Sequence, residues 1–570
     1  MSSAVETFQL LDPRLAVADN VRYAVEVGPQ SQNQQIFTSQ TASTSQVTAN
    51  CLIPSLQTII DRNVQIRTTF TIEITGAVVA GASQLINYPD NMVFAPFPFS
   101  QCVQTLTCQI NNTSVNSNYE SNLALMLRQM DQSDLAKYSD LAPCSLDYYQ
   151  QPDAAGAHGT LSSFNNGRQT ALGYDVKSRG TFCIDSITGD TAGGGGGTTP
   201  TVLVTITTTE PLFISPFLFG DGLCQESAGL SGVSSINLNF NLGASLVGRA
   251  FTIVPLAGAN NTITACSLQS ISKFEVLMTF LSPKPSQLIP LTNCLPYYEM
   301  PSYKTISNAT PAAQADFQIT SSIVSPNSIP DSVYMFVRNS NSTAVVQAQT
   351  NEFYYPISNV SITWNTQSGL LASATQQTLY DMAKRRGLKM DWSQFRGKAQ
   401  GPQTAINAVA PLATTGGIVC LAFNQNIPIQ EQYYSSGSLG LWSFSATVTA
   451  KNTTAAALAL PVELVVVFFQ SGIFQSTSGS SSQYIGVLSK DEVLRVSQEP
   501  YITHNEHRRL VGGEDAFLGS MMKGSEGKMK ALVKNALGDA LEASGRGMSA
   551  GQMEASGKGM SAGRRGPRTY

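Results

Sequence analysis

Histidine is scarce in this 570-residue chain: His158, His504 and His507 are all there is. Few reaction types are left with a general base of suitable pKa, and none of the three has a nucleophile-elbow motif beside it. His504 and His507 are three apart, a spacing that shares a helical face and can hold a metal. No cysteine or carboxylate cluster accompanies them, so they read as part of a solvated linker. Charge is also low. Charged residues make up 13% of the chain, about half the roughly 25% usual for soluble domains. The nine cysteines (Cys51, Cys102, Cys108, Cys144, Cys183, Cys224, Cys266, Cys294 and Cys420) are odd in number and include no CxxC pair. Residues Met1 to Leu15 show neither the basic nor the apolar region of a secretion signal. These absences predict a chain made inside the cell, with free, mostly buried thiols. No apolar run reaches the roughly 18 residues of a membrane-spanning helix. The longest, Val462 to Phe469, contains Glu463 and fits a buried strand.

Period-two alternation dominates what is present. Val64, Ile66, Phe70, Ile72 and Ile74 alternate with Gln65, Arg67, Thr69, Thr71, Glu73 and Thr75. The pattern recurs at Ile236 to Leu242, at Val360 to Trp364 and at Trp442 to Lys451. Strands with one apolar and one polar face, spread over the whole chain, predict antiparallel sandwiches. Two helices are expected between strands: Tyr119 to Met130, and Ser373 to Arg386 with Ser373 as N-cap and Gly387 as stop.

The Pro-rich segment Ser282 to Pro301 divides the strand-rich region into two parts, each long enough for eight strands. The expected division is an N-terminal arm (1–20), a first sandwich (21–285) with a long inserted loop at about 128–200, a second sandwich (286–504) and a tail (505–570). The inserted loop ends in five glycines, Gly193 to Gly197, which lack the GK[ST] ending of a phosphate cradle and read as a linker. Acidic residues such as Asp190 and Glu210 are expected on solvated sheet edges, and Cys102 and Cys108 in strands.

The tail changes character. Residues 505–570 hold 11 Lys/Arg and 7 Asp/Glu, a net of +4, leaving −4 − 4 = −8 for the rest. It carries a 12-residue repeat, Glu542 to Gly551 and Glu554 to Gly563, after an amphipathic pattern at Lys528 to Leu541, and is expected to be partly disordered. Its basic end, Arg564, Arg565 and Arg568, is a candidate for weak genome contact. No catalytic residue, cofactor site or metal site is expected.

Four stretches carry a family resemblance. They are Pro54 to Arg62 running into the Val64 strand, Ser328 to Arg338, Ile357 to Leu371 continuing into the helix with Leu379 and Met382, and Gly437 to Trp442 leading into the Ser443 strand. In this order, over roughly residues 50–470, they resemble the major capsid proteins of virophages and Polinton-like viruses. The resemblance implies an all-β chain of two tandem eight-stranded jelly rolls, a double jelly roll. It also implies a non-enzymatic subunit that forms pseudo-hexameric homotrimers in the icosahedral shell of a double-stranded DNA virus, with penton and minor capsid proteins as partners. Leu510-Val511-Gly512-Gly513 before Glu514 resembles the site read by adenovirus-type cysteine proteases, which implies a maturation protease and a removable tail. The competing readings are an extracellular β-sandwich adhesin or lectin, a single jelly-roll RNA-virus coat protein and a β-helical or sandwich glycoside hydrolase. They call respectively for a secretory signal with paired cysteines, a basic N-terminal arm, or paired carboxylates. The signal, the cysteine pairing and the basic arm are not visible, and paired carboxylates cannot be read from sequence.

Overall fold

Alternating residues become strands wherever one face can be buried, and they do so twice with the same winding. A computed structural model describes residues 32–489, leaving out chiefly 130–180, 190–199, 218–228, 283–291 and 341–353. The first sandwich contains β1 (Gln32–Ala42), β2 (Gln46–Leu52), β3 (Gln65–Ala77), β4 (Val103–Ile110) and β5 (Thr113–Ser117). It is completed by β6 (Thr181–Thr188), β7 (Thr201–Pro211), β8 (Ser235–Leu242) and β9 (Thr262–Leu281). One sheet runs β1-β9-β3-β7 with β6 added at its edge, and the other runs β2-β8-β4-β5. Setting β6 aside, the first sheet holds the first, eighth, third and sixth strands of the winding. The second sheet holds the second, seventh, fourth and fifth. That is a jelly roll.

The second sandwich repeats it. Its strands are β11 (Ser302–Ser307), β12 (Asp316–Thr320), β13 (Ser332–Asn339), β14 (Ile357–Trp364), β15 (Gln367–Leu370), β16 (Val419–Ala422), β17 (Phe444–Lys451) and β18 (Val462–Thr477). The sheets run β11-β18-β13-β16 and β12-β17-β14-β15, the same first-eighth-third-sixth and second-seventh-fourth-fifth orders. Between the sandwiches lies β10 (Thr292–Glu299), which pairs with the far half of β18; that half also pairs with β19 (Ser480–Ile485).

Each core forms where two sheets face each other. In the first, Phe240 of β8 meets Phe274 of β9 at 5.3 Å between ring centres, and Phe99 lies against both. In the second, Phe444 of β17 meets Phe468 of β18 edge-on at 5.2 Å.

Several expectations need correction. Glu210 is not on a solvated edge: it is 1% exposed. It accepts hydrogen bonds from the backbone N–H groups of Phe99 and Ser100 at 2.8 Å each, from Ser100 Oγ at 2.5 Å and from Thr208 Oγ1 at 3.0 Å. The two N–H groups belong to the first turn of α1 (Pro98–Cys102), where no intrahelical acceptor exists, so the carboxylate fastens this helix to β7. Burial pushes the Glu210 carboxyl up, and these donors pull the other way without cancelling it. Cys102 ends α1 rather than standing in a strand, whereas Cys108 does lie in β4.

The Pro-rich segment is not only a connector, because β10 lies inside it. Pro296 is tolerated because β10 is an edge strand and the proline side chain is exposed. The inserted loop contains strand β6. The helix expected from Ser373 begins later, as α3 (Gln376–Arg385), with Thr375 as N-cap accepting from Thr378 N. A turn at Gly369–Ala374 occupies the residues before it, and Gly387 at φ 93° ends it as expected.

Candidate functional site

With one core inside each sandwich, the contacts at the joint hold the two together. Helix α2 (Tyr119–Gln129) follows β5 directly and places Glu120 in its first turn. The Tyr119 hydroxyl accepts from Phe213 N at 2.9 Å, holding the helix start in the first sandwich. The Glu120 backbone carbonyl then accepts two guanidinium N–H groups, from Arg249 of the first sandwich and Arg338 of the second, each at 2.9 Å. Its carboxylate pairs with Lys304 of β11 and lies 3.9 Å from Arg338 Nη2. Arg338 and Glu463 stand opposite each other in the β13–β18 register, and Arg338 Nε donates to Glu463 Oε1 at 2.6 Å. Both side chains are 3% exposed.

Burial alone raises the Glu120 carboxyl. The Lys304 hydrogen bond and charge, with Arg338 and Arg249 behind them, outweigh burial and hold it below the ordinary carboxylate range. Nearby, Asn122 Nδ2 donates to Met300 O at 2.9 Å and Asn118 Nδ2 to Ser302 Oγ at 3.0 Å, both across the joint.

A second set of contacts uses the extension formed by β10, the far half of β18 and β19. Ser476 Oγ donates to Ser231 O at 2.5 Å, and Ser481 Oγ to Ile110 O at 2.5 Å. Thr113 Oγ1 donates to Ser481 O at 2.6 Å, and Asn293 Nδ2 to Gly229 O at 2.9 Å. Gly479 N donates to Gly232 O at 2.9 Å. Gly232 has φ +73°, and a Cβ there would stand 3.3 Å from Ser478 N, so the close approach calls for glycine. The joint is polar and directional, which fixes geometry more than an apolar contact of the same size does.

The chemistry elsewhere is quiet. Cys51, Cys102, Cys108 and Cys420 are buried free thiols; burial pushes Cys51 and Cys420 up to about 12, where they are poor nucleophiles. Among the described residues no group of three or more His, Cys, Asp or Glu converges on one point. His158, His504, His507, Leu510, Gly512, Gly513, Glu514, Arg564, Arg565 and Arg568 lie outside the described residues. The joint residues Glu120, Lys304, Arg338 and Glu463 were not singled out as partners from sequence. A signal was there: Glu463 interrupts an apolar run and Arg338 ends another, Val333 to Val337.

Two sandwiches of identical winding in one chain, joined by polar contacts, define a double jelly roll. The comparisons agree. Residues 3–281 match the family model of the Sputnik virophage major capsid protein first domain, and residues 300–472 match that of the major capsid protein V20 C-terminal domain. The chain is 28% identical over 545 residues to the putative capsid protein V20 of Sputnik virophage, covering 94% of this chain and 88% of that one. It is similar to a chain of the 3.5 Å cryo-EM structure of the Sputnik virophage, with TM-score 0.69 and 25% identity, covering 89% of this chain and 98% of that one. The mavirus major capsid protein shares the fold, with TM-score 0.62, 15% identity and coverage of 88% and 100%. The chain belongs to the virophage major capsid protein family. It is a major capsid protein, a structural component of the virion shell, and not the extracellular adhesin that its composition alone allows.

Proposed function

We propose that three copies associate into a pseudo-hexameric trimer, and that such trimers tile an icosahedral shell around a double-stranded DNA genome. The observation that carries this reading is the repeated winding: one chain supplies two similar but independently variable sandwiches, and closed three-fold symmetry turns them into six. Exposed apolar residues on the first strand of each sandwich support it. Ile36 on β1 is 52% exposed and Ile306 on β11 is 54% exposed, each on the first strand of its winding. In this reading residues 21–285 and 286–504 are the two jelly-roll units, residues 1–20 an arm and residues 505–570 an appendage. The chain catalyses nothing, and penton and minor capsid proteins complete the shell. Light scattering on the purified chain is expected to give the mass of three copies, with interfaces above the standard ~1,200–2,000 Å². A monodisperse monomer would overturn the reading.

The appendage is proposed to leave by cleavage after Gly513. Two glycines give a protease an unhindered backbone, and Leu510 supplies an apolar side chain for its pocket. Intact-mass measurement on mature particles is expected to show chains ending at Gly513; chains ending at Tyr570 would refute obligatory processing. Before cleavage, Arg564, Arg565 and Arg568 are proposed to touch the genome. Three phosphate contacts give a salt slope of about −0.9 × 3 for one copy, and many copies add by avidity. Deleting residues 564–570 is expected to reduce genome packaging, and unchanged packaging would remove this role.

A further inference from the structure

In a winding of antiparallel strands, successive connections alternate between the two ends of the sandwich. In the first sandwich the connection from Ile53 to Val64, the turn at Asn111–Asn112 and the approach to β8 share one end. Their pairings place them together: Leu52 stands opposite Ser235, Ile60 bridges Leu230, and Asn111 N donates to Ser235 O. In the second sandwich the corresponding connections meet where Val324 bridges Phe444 and Ser328 bridges Leu439. The β18–β19 extension binds the first sandwich at these same connections, through Gly232, Ile110 and Asn112. Both ends therefore belong to one side of the molecule.

That side is apolar. Of the nine exposed large apolar side chains among the described residues, five lie here: Leu52, Leu56, Ile323, Leu439 and Leu441. Ile323 is 76% exposed and Leu441 is 95% exposed. The other four are Ile36, Ile187, Tyr303 and Ile306. No charged residue occurs from Ser321 to Asn327 or from Ser435 to Trp442, so these two segments present no charge of their own to lipid headgroups or nucleic acid. Large apolar side chains left exposed on one side call for a covering partner.

We propose that the covering partner is the N-terminal arm of this chain, its apolar residues Phe8, Leu10, Leu11 and Leu15 seated on the end marked by Leu441 and Ile323. Three observations favour the arm. Strand β1 starts at this end, since Gln32 stands opposite Leu281 and Leu281 opposite Ile59. The 16 residues between Leu15 and Gln32 reach at most about 55 Å, enough to cross one sandwich. The first-domain family match begins at residue 3, which makes the arm part of the shared domain, whereas the second match stops at residue 472. The inference goes beyond the trimer reading and does not depend on it, because the arm covers the end of its own copy or of a neighbour in the same way.

The test places a benzophenone amino acid at Leu441 in the full chain, irradiates, and maps the cross-linked peptides. Cross-links to residues 1–31 are expected. Cross-links confined to any other segment, to another protein or to lipid, or none at all, overturn the proposal. Independently, a chain carrying Ile323→Glu and Leu441→Glu is expected to be cut by trypsin after Arg14 at least tenfold faster, with its melting temperature unchanged. An unchanged cutting rate counts against the arm as occupant.

Discussion

Replacing Arg338 by Met is expected to cost about 3–5 kcal/mol of stability, the penalty for leaving a buried charge without its partner. Arg338 donates to two acceptors, Glu463 Oε1 at 2.6 Å and the Glu120 carbonyl at 2.9 Å, and its Nη2 forms an ion pair with the Glu120 carboxylate at 3.9 Å. Its removal strands Glu463 within the otherwise apolar run Val462 to Phe469 and takes one of two arginines from the Glu120 carbonyl. The loss is expected to appear as a lower melting temperature, and as faster amide exchange in both α2 and β13. The double variant Arg338→Met, Glu463→Met tests the cause. Replacing both charges by apolar side chains is expected to recover much of the loss. A double variant less stable than the single one would show that the pair itself, and not the stranded charge, carries the energy.

The same clamp sets an acid limit. Because the Glu120 carboxyl is held below its unfolded value, its contribution is fully present above about pH 4.3, the unfolded pKa, and is lost as pH falls through the lower folded value. The wild-type joint is thus expected to keep its exchange protection down to that pH and to lose it in stronger acid.

The second large effect is expected in the core of the second sandwich. Trp364 is 1% exposed, stacks on Trp442 at 5.6 Å with 11° between planes, and meets Phe423 edge-on at 4.7 Å. Trp364→Ala removes all three contributions at once, the buried area and both ring contacts, and is expected to cost about 3–5 kcal/mol. The damage should be local. Amide protection in β12, β14 and β17 is expected to fall, while β3 and β8 of the first sandwich hold theirs, because each sandwich has its own aromatic core. Equal loss in both would mean that the sandwiches unfold as one cooperative unit.

Strands with one wet face were legible in the sequence, as β3, β8 and β17 show: their alternation survives in the fold as alternating buried and half-exposed residues. Strands that break the period were not legible. β9 is 20 residues long, and its register against β3 shifts three times, between Ile263 and Ala265, Leu268 and Ser270, and Ile271 and Lys273. Each bulge moves the apolar set to the other face. β13 is buried on both faces and so shows no alternation at all. β1 has few apolar residues among its glutamines and threonines, and it forms because β9 and β2 both pair with it.

The joint was the least legible part. Glu120, Lys304, Arg338 and Glu463 come from four elements spread over some 340 residues, and only the fold brings them together. Glu210 misled for a related reason. A carboxylate at a strand end looks solvated until the unsatisfied amides of a short helix are found against it.

This chain builds a shell from paired sandwiches. Negative-stain imaging of the purified protein tests it most directly. Single trimeric particles with a near-hexagonal outline are expected, six sandwiches around a three-fold axis. Isolated two-lobed monomers, or rings with any other number of subunits, would contradict it.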